Sequence, residues 1–382
     1  MQQYRKPWIA AFVGQFMNRS HPKEAFPISS HHHSAATLSV ESGYTFLFFV
    51  SVILITAATL IPQRISFNAN SASVSLDTAV AATGEEFFRP AIRSIDLNED
   101  DDKLGILASD GSHQLRQASS GDALSTFRSS DRYLRGLQIV GTNDLYAGIN
   151  SDCELEIYRQ QKLIWRGTLP DQTADEVPMY CSFTRDQRTM AVAARSGAIW
   201  LVDIRDRTVQ PRTRQVLGQP LSSATISPLG DRVLCIMADR TTCIWNTVTA
   251  RRETAIKGQE FDAVFAQWSG RGDSYITFGI SQSVFVWSVS TGQLTRELTV
   301  ESKCVVSAAL SFDGKFAAIG DASTIRIWNV ETGDEFCRFE DTASLVSALR
   351  FDSTGDTLYS GDIKGAISCW NIPEGIERWS VW

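Results

Sequence analysis

Residues able to carry chemistry are few and scattered in this sequence. Seven cysteines stand singly at 153, 181, 235, 243, 304, 337 and 369, without the CxxC pair of a typical zinc site. Their odd number and wide spacing do not resemble a disulfide framework. Cys235 and Cys243 flank one tight turn, where they would either form a bridge or remain buried free thiols. We expect free thiols.

After residue 83 the chain has one histidine, His113, and any Ser-His or Cys-His pair would depend on it. It lies in a predicted turn between two strands, so we expect a solvated loop residue. The acidic run NEDDD at 98–102 lacks the ligand positions and the glycine of a calcium loop, which predicts a solvated turn. No phosphate-binding glycine loop or dinucleotide fingerprint is present. We therefore expect no catalytic, cofactor or metal site and no enzyme activity.

The charge balance argues against a nucleic-acid partner. Residues 84–382 hold 31 Lys and Arg against 40 Asp and Glu, a net charge of −9. Binding to a phosphate backbone is driven by clustered Lys and Arg, which this region does not provide. The whole chain of 382 residues is 43% apolar and 21% charged, a composition typical of a globular protein.

Residues 44–61, YTFLFFVSVILITAATLI, form an uncharged run that predicts a membrane segment. A helix of this length spans about 27 Å, close to the roughly 30 Å of a bilayer core. We expect a single transmembrane helix acting as a signal anchor, with a cleaved signal peptide as the alternative. More basic residues precede the run than follow it closely: Arg5, Lys6, Arg19 and Lys23 against Arg64.

This charge bias favours a cytoplasmic N-terminus and an extracytoplasmic C-terminal region. A cytoplasmic C-terminal region, or secretion after signal cleavage, is the alternative. Residues 1–43 would then be a cytoplasmic segment, in which 7–17 has one apolar helical face and 29–39 is a flexible linker. The small polar residues of 62–83 predict a second linker. The folded domain is expected over 84–382.

That domain contains a repeat of about 42 residues. Trp245, Trp287, Trp328 and Trp370 each end an alternating run just before a turn, and the same period steps back to Val202, Tyr158 and Arg116. Six units have an apolar residue 19 positions before this anchor, whereas in the sixth unit Phe312 lies 16 before Trp328. A small residue lies 7–10 positions before each anchor.

Each unit therefore predicts four short strands. Seven such sheets would close into an all-β, seven-bladed β-propeller of four-stranded antiparallel blades, preceded by the transmembrane helix. The tryptophan is expected to fill the space between adjacent sheets. The segment 375–382 would supply the outer strand of the seventh blade. A strand at 83–89 could compete for that place.

The repeat resembles the tryptophan–aspartate (WD) repeat family over about residues 84–382. STIRIWNVETGDEF (323–336) and TTCIWNTVTA (241–250) are similar to that family's third strand and following turn. The resemblance implies a propeller used as an interaction platform. It also implies that Asp110, Asp152 and Asp239, six residues before their anchors, help to hold a hairpin turn. The family's Gly-His pair and the Asp after Trp are missing, so its internal hydrogen-bond tetrad should be mostly absent.

The family topology implies two different faces. The turns before the third strands share one face with the connections between blades, and there Arg195, Arg240 and Lys364 predict an interaction face for an acidic protein. Ordinary solvated loop charges are the alternative. The opposite face would carry the turns between first and second strands, with Asp100, Asp101, Asp102, Asp186, Asp231, Asp273 and Asp356.

We expect a non-enzymatic, membrane-anchored scaffold that binds proteins through its propeller. One alternative is a propeller enzyme or small-ligand sensor that acts through the central channel. The small apolar inner-strand segments AALSF and SATIS argue against it. Another alternative is a bacterial envelope assembly factor, since diverged repeats that follow a signal anchor are more typical of a bacterial protein than of a eukaryotic cytosolic scaffold.

Overall fold

The computed structural model describes residues 37–39, 64–68, 73–77, 89–128, 138–140, 145–149, 154–159, 162–173, 176, 178–205, 208–239, 241–256, 263–279, 282–300, 305–320, 324–340, 342 and 344–381. The regular secondary structure of these residues consists of strands. Within these ranges there is no helix long and apolar enough to span a bilayer. The predicted transmembrane segment 44–61 and the predicted helix 7–17 lie outside the described residues.

A small antiparallel sheet precedes the propeller in sequence. Its strands are ordered β1-β3-β2 and have the bounds β1 Thr37–Ser39, β2 Arg64–Asn68 and β3 Ser73–Asp77. The predicted linkers 29–39 and 62–83 therefore contain strand residues. The signal that was missed is the alternation of apolar and polar residues in RISFN and SVSLD. Each run is only five residues long, so the segment was interpreted from its small polar composition as a tether.

The remaining strands form seven four-stranded antiparallel blades, as predicted. Each blade is one continuous segment whose strands follow in order from the centre outward. The first three blades comprise β4 Ile92–Leu97, β5 Lys103–Ala108, β6 Ser112–Gln117 and β7 Ala123–Arg128; β8 Gln138–Val140, β9 Leu145–Ile149, β10 Leu155–Arg159 and β11 Lys162–Gly167; β12 Pro178–Phe183, β13 Thr189–Ala194, β14 Ala198–Arg205 and β15 Thr208–Val216.

The other four blades comprise β16 Leu221–Ile226, β17 Arg232–Met237, β18 Thr242–Asn246 and β19 Arg251–Ile256; β20 Ala263–Trp268, β21 Ser274–Gly279, β22 Ser283–Ser288 and β23 Leu294–Thr299; β24 Ser307–Leu310, β25 Phe316–Gly320, β26 Ile325–Asn329 and β27 Glu335–Phe339; β28 Val346–Phe351, β29 Thr357–Asp362, β30 Ile367–Asn371 and β31 Ile376–Val381.

All seven predicted anchors lie on the third strand of their blade, which confirms the repeat. The alignment of the sixth unit was wrong. Its first strand ends at Leu310, and Phe312 lies in the following turn. The Ser311 amide donates to the Phe316 carbonyl, as the Ser227 amide does to Arg232 in the fourth blade. The unit is therefore one residue shorter than the others, not three.

The apolar strands of each blade face two neighbours at once. In β17, Val233 and Cys235 pack with residues of the third blade, whereas Leu234 packs with Trp268 and Phe285 of the fifth. A strand buried on both faces has a nearly continuous apolar sequence rather than an alternating one. Among the described residues, buried clusters of this kind join blades 2–3, 3–4, 4–5, 5–6, 6–7 and 7–1.

The repeated tryptophans fill the space between blades, as predicted. Trp245 lies in the cluster between the third and fourth blades, and Trp287 lies in the cluster between the fourth and fifth. The indole Nε1 of Trp287 donates to Thr277 Oγ1 at 3.0 Å, and that of Trp370 donates to Ser360 Oγ at 2.8 Å. Both acceptors lie two residues beyond the residue paired with the tryptophan on the second strand.

The fourth and sixth blades lack this hydroxyl. The corresponding residues are Cys235 and Ile319, since Val233 pairs with Trp245 and Ala317 pairs with Trp328. The indole nitrogens of both tryptophans are buried without a hydrogen-bond partner. The tryptophan therefore keeps its place between blades whether or not its indole N–H is hydrogen-bonded.

Among the described residues, the ring closes without exchange of strands between its ends, and the competing strand predicted at 83–89 lies outside them except for Arg89. The C-terminal strand β31 pairs with β30 and completes the seventh blade, as favoured from the sequence. The seventh blade then packs on the first, where Ser347 Oγ donates to the Ile92 carbonyl at 2.6 Å and Arg350 pairs with Asp96 at 2.9 Å. Ile92 lies so close to Gly361 that a Cβ at that glycine would overlap it.

We predict that Thr277→Val destabilises the protein by about 1–3 kcal/mol. Valine keeps the shape of threonine, but it leaves the buried indole N–H of Trp287 without an acceptor. The measurement is the free energy of unfolding in urea. The matched control is the same change in a Trp287→Phe background, where the cost should shrink because no N–H is orphaned. An equal cost in both backgrounds would show that the hydrogen bond is not responsible.

Candidate interaction surface

The ring has two faces with different loops. On one, here called the turn face, the first-to-second-strand turns bond to the third-to-fourth-strand turns: the amides of Thr247 and Val289 donate to the carbonyls of Asp231 and Asp273. The other, here called the connection face, carries the second-to-third-strand turns and the connections between blades. There the Leu221 amide donates to the Arg195 carbonyl of the preceding blade.

The three basic residues predicted from sequence are only partly brought together. Arg195 is half-buried in the β13–β14 turn, and Lys364 is exposed in the β29–β30 turn, so both lie at the connection face. They belong to the third and seventh blades and do not form one cluster. Arg240, which comes between β17 and β18 in the sequence, lies outside the described residues.

The turn aspartates predicted from the family are present in two described blades. Asp110 Oδ1 accepts from the Ser112 amide, and Asp239 Oδ1 accepts from the Thr241 amide, both at 2.9 Å. Asp152 lies outside the described residues. In the seventh blade, where Lys364 occupies the family position, the buried Asp362 accepts from two backbone amides instead.

The mouth of the central channel at the connection face exposes two apolar side chains. The first strands of consecutive blades contact one another around the ring, so they line the channel. On these strands Met179 is 37% exposed and Phe265 is 43% exposed. Phe265 stacks on Phe278 with ring centroids 5.5 Å apart. Sequence reasoning missed both residues, because alternation does not reveal which strand edge borders a channel.

The channel mouth at the turn face is bridged by side chains from opposite sides of the ring. The Arg185 guanidinium of the third blade lies 4.4 Å from the ring centroid of Phe312 in the sixth, a cation–π contact. Arg271 of the fifth blade lies 5.9 Å from the same ring, and Arg185 Nη2 donates to the Glu99 carbonyl of the first. Phe312 also covers Gly270, where a Cβ would overlap its ring.

The predicted acidic face is therefore mixed in charge. Its aspartates lie in first-to-second-strand turns as expected, but Arg185, Arg188 and Arg271 lie in turns of the same set. Several carboxylates hold these turns together: Asp231 and Asp273 accept from the hydroxyls of Ser227 and Ser269, and Asp101 Oδ2 accepts from the Ser353 amide across the seam. In the described ranges, no group of three or more His, Cys, Asp or Glu side chains could hold a metal ion.

The prediction that His113 is a solvated loop residue was wrong. The turn at Asp110 and Gly111 is so short that β6 begins at Ser112, and the imidazole is only 2% exposed. Burial lowers its pKa from 6.5 to about 4, although the neighbouring Asp110 charge acts in the opposite direction. The histidine is therefore neutral and structural at pH 7.

Cys235 and Cys243 are directly opposed on β17 and β18 and are buried free thiols, as expected. A hydrogen bond between them and burial together raise the pKa of Cys235. The same hydrogen bond lowers the pKa of Cys243, although burial acts in the opposite direction. Burial raises the pKa of Cys369 to about 11, so this thiol is not poised as a nucleophile at neutral pH.

Comparison with known proteins points to WD-repeat proteins. The chain is 27% identical to Apoptotic protease-activating factor 1 of Rattus norvegicus over 149 residues, which are 33% of this chain and 12% of the relative. It is 30% identical to Angio-associated migratory cell protein of Homo sapiens over 101 residues, 26% of this chain and 23% of the relative. It is also 30% identical to Periodic tryptophan protein 2 homolog of Schizosaccharomyces pombe over 96 residues, 25% of this chain and 11% of the relative.

The chain thus spans less than a quarter of the length of each of these relatives. No family model matches the chain. The propellers of WD-repeat proteins generally bind protein partners.

We predict that His113 makes the fold sensitive to acid. The unfolded chain binds a proton at this side chain below pH 6.5, but the folded protein does so only below about pH 4. Stability is therefore lost as pH falls through this window, by up to about 3 kcal/mol. Urea unfolding at pH 7 and pH 4.5 should show a larger loss for the native chain than for His113→Gln. Equal losses in the two proteins would contradict the assignment.

Proposed function

We propose that the chain is a non-enzymatic scaffold that binds a partner protein at the connection face. The observation that carries this proposal is the asymmetry of the channel. Exposed Met179 and Phe265 lie at one mouth, whereas Phe312 and Arg185 bridge the other. Exposed apolar side chains that face a concave site mark an interaction surface rather than a core.

Charge at the connection face supports an acidic partner, as the sequence led us to expect. Arg195 and Lys364 each bring a positive charge to a connection-face turn, and charges at a rim steer encounter with the opposite sign more than they add affinity. Arg240 completes the proposed set from the intervening blade by its place in the sequence. We propose these three residues as the cationic rim of the binding face.

Membrane anchoring through residues 44–61 is part of the same proposal. Its support is the uncharged run of 18 residues, long enough for a single span, with Arg5, Lys6, Arg19 and Lys23 on its N-terminal side. The propeller would then be held outside the cytoplasm, where it recruits a partner to the membrane. Service as a bacterial envelope assembly factor stays a prediction from sequence.

A small-ligand sensor is the second candidate function. It is favoured by the bridge between Arg185 and Phe312, because side chains that cross one mouth of a channel narrow it there and leave the other mouth as a concave site. Binding of a metabolite to the full chain, abolished by Phe265→Ser but not by charge reversal at Arg195, would favour this candidate over the scaffold.

We predict that Arg195→Glu combined with Lys364→Glu abolishes partner association in cells. The measurement is proximity labelling with the labelling enzyme fused after Trp382. The native chain should label a small, reproducible set of proteins that the variant no longer labels, because an acidic partner is repelled by the reversed charges.

The matched control is Arg188→Glu combined with Lys315→Glu. Both residues are exposed on the turn face, so the net charge changes equally on the opposite side of the ring. The control should label the same proteins as the native chain. If the two double variants label alike, the connection face is not the binding surface.

A further inference from the structure

Two thiols face each other in the middle of the fourth blade. Cys235 on β17 and Cys243 on β18 are directly paired in register, and both belong to the apolar cluster between the third and fourth blades. They are 0% and 1% exposed, and a hydrogen bond joins them. The other described cysteines are paired with residues of other types: Cys181 with Val192, Cys337 with Ile327, and Cys369 with Tyr359 and Trp379.

The strand register sets the distance between the backbones at this pair. The Met237 amide donates to the Thr241 carbonyl at 2.8 Å, and the Thr247 amide donates to the Asp231 carbonyl at 2.9 Å. Both bonds fall on the register of the hairpin an even number of residues from the thiols, so the thiols occupy a hydrogen-bonded pair. The Cα atoms of such a pair lie about 5.5 Å apart, a separation that a disulfide spans. The Cβ atoms have to approach by roughly 1 Å, which makes the bond easier to reduce again.

The seventh blade has two serines at the corresponding positions. Ser360 and Ser368 are paired on β29 and β30 as the thiols are on β17 and β18. Ser360 also accepts the hydrogen bond of the Trp370 indole, whereas the indole nitrogen of Trp245 in the fourth blade is buried without a partner. The fold therefore accommodates hydroxyls at both positions. Packing alone does not require two sulfur atoms here, which directs attention to their chemistry.

The two thiols differ in acidity. Their mutual hydrogen bond, together with burial, raises the pKa of Cys235. The same hydrogen bond lowers the pKa of Cys243; burial opposes this change, the Arg252 charge adds to it, and the Asp239 charge opposes it. The thiolate is the reactive form of cysteine, so Cys243 is the better nucleophile of the pair. Cys235 is then placed to react with whatever forms on the Cys243 sulfur.

The burial of the pair calls for a small oxidant, and hydrogen peroxide is small and uncharged. The Cys243 thiolate attacks one peroxide oxygen and the O–O bond breaks, which gives a sulfenic acid and a hydroxide that takes up the thiol proton as water. The Cys235 sulfur then attacks the sulfenic sulfur, the S–O bond breaks, and a second water leaves with the Cys235 proton. Two thiols thus lose two electrons, and one peroxide is reduced to two waters.

We propose that Cys235 and Cys243 are a redox-active dithiol that a peroxide converts into an intrachain disulfide. Cys243 reacts with the peroxide, and Cys235 resolves the sulfenic acid. The bond forms two residue pairs from the turn 238–240 at the connection face, where the Ala238 amide donates to the Pro220 carbonyl at 2.8 Å. Oxidation therefore tightens a hairpin that borders the proposed binding face. The inference itself does not depend on partner binding.

The test is a peroxide titration of the full chain in mild detergent, followed by blocking of free thiols and tryptic digestion of the monomer. Trypsin cleaves the hairpin after Arg240, so a bridge leaves peptide 233–240 joined to peptide 241–251. Mass spectrometry should find the joined peptides after peroxide and should no longer find them after dithiothreitol. The control is Cys235→Ser combined with Cys243→Ser, which reproduces the serine pair of the seventh blade. Absence of joined peptides at peroxide concentrations that already oxidise Cys369 would overturn the inference.

The single variants test the order of the two steps. In Cys235→Ser, Cys243 should react at about the native rate and stop at a sulfenic acid, which dimedone traps. In Cys243→Ser, the remaining Cys235 thiol should react at least about tenfold more slowly. Cys369 is the internal control, and its rate of oxidation should be the same in all four proteins. Equal rates for Cys235 and Cys243 in the two single variants would overturn the assignment of Cys243 as the attacking thiol.

Discussion

The whole structure depends on one constraint: each blade has two apolar faces, and only a neighbouring blade can cover them. A strand such as β17 divides its side chains between the blade before it and the blade after it. No blade is therefore stable alone, and a ring left open would expose one face of its first blade and one of its last. Closure is an energetic requirement, and the contact between the seventh and first blades has to be packed as well as any other.

The same constraint makes the residues that line the channel informative about function. Sheets that pack face to face around an axis cannot bring their inner edges together, so a channel remains whose lining is not dictated by packing. Residues there are free to vary with function, which gives weight to Met179 and Phe265 at one mouth and to the Arg185–Phe312 bridge at the other. Contacts that cross the axis also tie blades distant in sequence, which opposes splaying of the turn face.

The period and the tryptophan series were enough to predict the blades, because a wedge between sheets demands a large side chain at a fixed strand position. Fixed spacing failed in the sixth unit, where Phe312 was mistaken for the strand end that Leu310 provides. The turn assignment failed at His113, because the turn at Asp110 and Gly111 is short and His113 is already the second residue of β6. The contact between Arg185 and Phe312 joins the third and sixth blades, so no local sequence pattern could predict it. The hydrogen bond from Trp287 to Thr277, and its absence at Trp328, depend on which residue the strand register places beside each indole. The tryptophans alone could not predict it.

The most direct test of ring closure is native-state hydrogen exchange of the full chain at low denaturant concentration. The amides of β4, β5, β28 and β29 border the seam, and those of β17 and β21 lie in blades with neighbours on both sides. A ring closed by packing predicts that both groups exchange through the same global opening, with equal free energies. Markedly lower opening free energies at the seam strands would contradict closure by packing of the seventh blade on the first.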